Sequence, residues 1–398
     1  MVKMTIAIDS FPRSAAAVEE ISAAATDAWH ARAVVFAAAC VMVGVYWDIS
    51  WHMTIGRDSF WTPAHLLIQA GGLIAGISSA YVALHTTFAG TPEQRAASVG
   101  FWGFRAPLGA WVCIWGCGAM LASAPFDNWW HDAYGLDVQI ISPPHMVLAL
   151  GIVAITVGAL LLTLARQNQS TGREQRRFAT LFTIAAAFWI MNVWIMLSEY
   201  SYKEFMHSGL FYRVAATYYP LVLLTTARAN TLRWPATKAA TVYMLVTLAL
   251  MWTLQIFPAE PKLGPIYQRI THMVTMDFPA LLVIPAFGLD VARRRLEGRL
   301  RDRWLAPMLA VVFVALFLAV EWPFASFLVT SHSRNWFFNG ANYVYFMTNQ
   351  YVGRTFSFAD WDPWSRPLAP QLALALVLAT VSSYLGLKWG TWMTKVRR

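Results

Sequence analysis

Asp48 and His52, and again Asp127 and His131, stand four residues apart in a chain that carries little charge. Residues four apart share one face of a helix, with Cβ atoms about 5–6 Å from each other, so each pair can aim at a common centre. A third residue follows each pair at nearly the same interval: His65 comes thirteen residues after His52, and His145 fourteen after His131. Each set offers two imidazoles and one carboxylate. Those donors suit copper, zinc or non-haem iron and do not suit magnesium or calcium, which take oxygen ligands.

The surrounding stretches, "DISWHMTIGRDSFWTPAH" and "DNWWHDAYGLDVQIISPPH", repeat more than the ligands. A Trp precedes the first His of each copy, a Gly follows it by four, and an Asp (Asp58, Asp137) follows that Gly by two. Asp58 and Asp137 are placed to orient a ligating His through its second ring nitrogen. Pro63-Ala64-His65 and Pro143-Pro144-His145 then open the next apolar run. Proline fits the first turn of a helix, so the last His of each set falls in that turn. The alternative is an aromatic belt with solvated polar residues at a membrane boundary. Four of the nine histidines in two copies of one pattern favour ligands.

The elements that must position these residues are membrane spans. Of 398 residues, 58% are hydrophobic and 13% charged, against about 25% charged in soluble domains. The expected fold is all-α, a polytopic transmembrane helix bundle of about ten spans. They lie near 31–50, 63–87, 107–126, 143–165, 178–199, 209–228, 237–257, 271–290, 304–329 and 368–389. Residues 1–30 read as an N-terminal cytoplasmic tail, 31–165 as a four-span metal-binding unit, and 166–398 as six further spans without a recognised role. The net charge of +9 is topological, because arginines cluster at 166–177 and 293–303 and basic residues at 388–398. The positive-inside rule makes those loops and both termini cytoplasmic, so both ligand turns face outward, on the periplasmic side of a bacterial inner membrane. No nucleic-acid motif is present. Cys40, Cys113 and Cys117 fall inside spans and read as packing residues. Asp277 and Glu321 also fall inside spans, as a proton path or an ordering network. His207 and His332 read as solvated loop residues, and "NWFFNGANYVYFM" as a loop that lies on the membrane or covers a site.

Asp48-x-x-Trp51-His52, Arg57-Asp58 and Trp61-Thr62-Pro63-Ala64-His65 resemble the C subunit of the copper membrane monooxygenases, the family of particulate methane and ammonia monooxygenases. The resemblance covers about residues 40 to 150. It implies copper, one or two ions, with zinc or iron as lesser fits, and a catalytic role for Asp48, His52 and His65. It implies a second, adjacent metal site at Asp127, His131 and His145, where Asp127 stands in place of the family's Asn. The implied function is oxygen-dependent hydroxylation of a small apolar or neutral substrate, alkane-like or ammonia-like. The implied partners are membrane lipids and companion subunits, including a cupredoxin-like chain; self-association stays open. Two other classes compete: a membrane copper-binding or transport protein, and a bis-His haem electron-transfer protein. The carboxylate beside each His pair argues against haem.

Overall fold

The computed structural model describes residues 15–56, 59, 61–134, 142–340, 343–358 and 367–397, with side chains from residue 29 onward. Among these residues, twelve α-helices and one small hairpin follow in order. They are α1 (Ala15–Thr54), α2 (Pro63–Phe88), α3 (Pro92–Ala96), β1 (Val99–Phe101), β2 (Phe104–Ala106), α4 (Leu108–Tyr134) and α5 (Pro143–Gln169). After these come α6 (Gly172–Met196), α7 (Gly209–Ala229), α8 (Pro235–Leu254), α9 (Val283–Leu296), α10 (Asp302–Leu328), α11 (Asn349–Arg354) and α12 (Leu368–Met393). Among the described residues, eight helices are long and apolar enough to cross a membrane, which marks an all-α integral membrane protein. They are α2, α4, α5, α6, α8, α10, α12 and the Trp29–Thr54 part of α1.

Two helical hairpins, α1–α2 and α4–α5, pack side by side, with α2 against α4 and α1 against α5. The ligand turns join the two helices of each hairpin at one end of the bundle. The β1–β2 hairpin joins α2 to α4 at the other end, with Trp102 exposed at its tip. Small residues let the helices approach closely, as is usual where no hydrophobic effect drives helices together in lipid. A Cβ added at Gly116 would sit 3.0 Å from the Gly151 carbonyl oxygen, and one at Gly151 would sit 2.8 Å from that of Gly116. Cys113 and Cys117 are free thiols lying over Gly158 and Gly76, a packing role.

Helix α1 continues into the second half of the chain, packing on α6 and α8, and one apolar core runs through both halves. The span expected at 209–228 forms as helix α7, clasped by α12, but α7 is not among the eight helices apolar enough to cross a membrane. The span expected at 271–290 is not one continuous helix: residues 271–282 form no helix and are mostly buried, and α9 begins only at Val283. Pro279 explains part of the break, since proline removes an N–H and biases the residue before it away from the helical region.

A buried non-helical segment must satisfy its backbone polar groups from elsewhere. Side chains do this here. Asn339 Nδ2 donates to the carbonyls of Thr275 (3.1 Å) and Met276 (2.8 Å), and Glu321 Oε1 accepts from the Leu281 N–H at 2.6 Å. Glu321 therefore has an ordering role at the start of α9, one of the two roles open to an acid in a span.

Candidate metal centre

The first triad assembles from the last two turns of α1 and the first turn of α2. Pro63 occupies the start of α2 behind an extended Thr62, which places His65 in the opening turn. His65 Nε2 lies 3.0 Å from Asp48 Oδ1, and His52 Nε2 lies 3.9 Å from Asp48 Oδ2. One ligand atom from each of the three residues lies within 4.8 Å of the others, and among the described residues no other set of three His, Cys, Asp or Glu gathers so closely. A metal about 2.0–2.2 Å from each donor needs the donors roughly 3–4 Å apart, the range in which both His–Asp48 separations fall.

Two details separate this arrangement from an ordinary ion pair. Asp48 Oδ1 is buried and accepts no hydrogen bond of good geometry, although His65 Nε2 is 3.0 Å away. His65 Nδ1 lies 3.1 Å from the Ser59 carbonyl oxygen. Donation there puts the proton on Nδ1 and leaves the Nε2 lone pair for a metal, the orienting contact that ligating histidines usually have. Asp58 and Asp137 lie outside the described residues.

His52 is half exposed, at 46% of its side-chain surface, against 21% for Asp48 and 26% for His65. The triad is therefore closed on the bundle side and open on the His52 side. The turn beyond is capped by the second half of the chain. The Lys262 N–H donates to the Ile55 carbonyl at 2.9 Å, and the Tyr345 hydroxyl lies against Gly56. Gly56 has φ +78°, a left-handed conformation that glycine adopts without strain. Tyr345 belongs to the aromatic loop "NWFFNGANYVYFM", which here packs on the turn at Gly56.

The second triad has the same parts in a looser arrangement. Asp127 Oδ2 lies 3.3 Å from His131 Nε2, and Asp127 Oδ1 lies 3.5 Å from His145 Nε2. Asp127 Oδ1 is likewise buried without a good hydrogen bond. Ser142 caps α5 by accepting from the His145 N–H at 3.4 Å, which places His145 in the first turn as His65 is placed in α2. Both histidines reach Asp127, but the three ligand atoms do not gather within the span that the first triad achieves. Phe126, Trp129, Trp130 and Tyr134 stack around this end of α4, with Trp129 and Tyr134 exposed.

The remaining acidic and basic candidates separate by role. His207 is not a solvated loop residue: its ring is sandwiched between Trp322 and Phe358, with centroids 3.8 and 3.6 Å away, and Nε2 lies 2.9 Å from the Trp322 carbonyl. Burial lowers its pKa and favours the neutral ring. Lys203, Glu204 and Asp277 form a cluster that pattern reading missed. Burial, then the Asp277 carboxylate, pushes the Glu204 carboxyl up to about 7. Lys203 Nζ donates to the Gly340 carbonyl at 3.2 Å. Neither residue stands out in the sequence, because the helical turn at Lys203–Phe205 is buried only by contacts distant along the chain.

Comparison of the chain with protein families, with curated proteins and with solved structures finds no match.

Proposed function

We propose that Asp48, His52 and His65 hold a copper ion, and that the chain is a copper-dependent membrane monooxygenase or the metal-bearing subunit of one. The observation that carries this reading is the gathering of three donor atoms, with an orphaned carboxylate oxygen among them, at residues that resemble the copper membrane monooxygenase motif. Copper bound there would supply oxygen activation. The protein's own part is to hold and orient. Asp48 brings a negative charge that offsets the cation in a partly buried setting, where charge interactions strengthen. The Ser59 carbonyl fixes the ring of His65. The exposed flank of His52 leaves a side from which small molecules can approach, as a metal site that does chemistry requires. The lipid-facing helices give a small apolar substrate a route to that flank.

Asp127, His131 and His145 form a second copper site in this reading, open to solvent. Among the described residues no His, Cys, Asp or Glu cluster continues from either triad towards the other end of the bundle, so a copper-transport path gains no support. The ligand ends face the periplasm of a bacterial inner membrane, with the arginine-rich 293–303 connection in the cytoplasm. A topology reporter inserted after Gly298 should then read cytoplasmic, and a periplasmic reading would put the triads on the wrong side. The oxygenase reading is tested by oxygen uptake. Copper-loaded membranes given an electron donor and a small alkane or ammonia should consume oxygen and release hydroxylated product, and copper-stripped membranes should not. Uptake that ignores copper, or a loaded first triad with no turnover of either substrate, would count against it.

A further inference from the structure

We infer that Ser50 and Thr54 are positioning residues of the Asp48–His52–His65 triad, which they fasten to the unwound segment of the chain's second half. The inference rests on the metal-binding reading above. Asp48 and His52 share one face of α1. Ser50 and Thr54, each displaced from them by two residues, share the opposite face. Both hydroxyl residues are fully buried, and both bond to a single residue of the non-helical 271–282 run. Thr54 Oγ1 accepts from the Val274 N–H at 2.8 Å and donates to the Ser50 carbonyl at 2.6 Å. Ser50 Oγ donates to the Val274 carbonyl. The ligand-bearing turn of α1 thus satisfies both backbone groups of Val274.

A helix end normally frays, because its last carbonyls have no partner in the helix. Here the last turn is the one that carries His52. The Thr54–Val274 contact, with the Lys262–Ile55 bond and Tyr345 over Gly56, holds that turn in register with His65 on α2. The same contact gives the unwound segment a use. A continuous helix across 271–282 would bond its own N–H and C=O groups internally and offer none to α1.

The chain contains its own comparison. Asp48 corresponds to Asp127, an offset of seventy-nine residues, so Ser50 and Thr54 correspond to Trp129 and Ala133. The second copy keeps the carboxylate and both imidazoles but has no hydroxyl at either latch position, and Trp129 is exposed. That copy is also the one whose donors do not gather. Ligands and latch are therefore separable, and the tighter geometry goes with the latch.

The test titrates cupric ion into full-length protein purified in lipid, for wild type, Thr54→Val, Thr54→Ser and Ser50→Ala, with His65→Ala to identify first-triad copper. Contacts that orient a metal ligand typically change affinity by about 10–100-fold. Thr54→Val should weaken first-triad binding by at least about tenfold, Thr54→Ser should stay near wild type, and Ser50→Ala should shift in the same direction as Thr54→Val. Second-triad binding should be unchanged in all three, which also reports that the bundle is folded. Amide hydrogen exchange across 50–56 should quicken in Thr54→Val with and without copper. Wild-type affinity in Thr54→Val, or unchanged exchange, overturns the positioning role and leaves the metal reading standing. Equal loss at both triads in Thr54→Val and Ser50→Ala also overturns it, because the effect would then be general. Wild-type protein with no copper sensitive to His65→Ala overturns the metal reading itself, and the positioning role with it.

Discussion

Asp48→Ala should empty the first triad of copper and abolish oxygen-dependent turnover. Asp48 is the member that both histidines face, at 3.0 and 3.9 Å, and it supplies the only charge in the set. Without it two neutral imidazoles remain, one of them half exposed, and nothing draws them together across the α1–α2 turn. A divalent cation loses both a bond and a charge partner in a low-dielectric setting, where such interactions are strongest. The fold should survive, because Asp48 is partly exposed and its Oδ1 makes no good hydrogen bond that the scaffold needs. Metal per protein and oxygen uptake on the same preparation check this. Full first-triad copper in Asp48→Ala would remove the carboxylate from the ligand set.

The second large effect separates the two sites. Asp127→Asn should lower copper occupancy at the second triad and leave the first filled. The substitution keeps an oxygen donor and its place on α4 while removing a full negative charge. Asp127 is reached by His131 and His145 at 3.3 and 3.5 Å, in an arrangement more open than that of the first triad. A site held loosely by geometry depends more on charge, so its affinity should fall steeply. Copper per protein, measured with the first triad intact and again with His52→Ala, resolves the two populations. Equal loss from both triads would mean one coupled centre, and unchanged occupancy would mean that Asp127 is not a ligand.

The parts of this arrangement that were legible in the sequence are local ones. The plus-four spacing of Asp48 and His52 and the Thr62-Pro63 start of α2 lie within a few residues of each other, and helix geometry alone brings them to one centre. The apolar runs likewise announce most of the spanning helices. The unwound 271–282 segment was not legible, because a buried non-helical run and a buried helix share the same apolar composition. Its meaning depends on Ser50 and Thr54, more than two hundred residues away in the chain. His207 escaped for a related reason: its two stacking partners, Trp322 and Phe358, come from distant segments. The difference between the triads was equally hidden. Their ligands match, and only the hydroxyls beside the first pair, with their distant partner, set them apart.

The measurement that bears most directly on the central claim is electron paramagnetic resonance of cupric ion bound to the purified full-length protein. The account predicts a first-triad signal with hyperfine coupling to two imidazole nitrogens. That coupling should fall to one nitrogen in His52→Ala and in His65→Ala, with the second-triad signal unaltered. Repeated with the second triad emptied by His131→Ala and His145→Ala, a copper signal that keeps both nitrogens in His52→Ala and in His65→Ala would place the metal elsewhere and contradict the account.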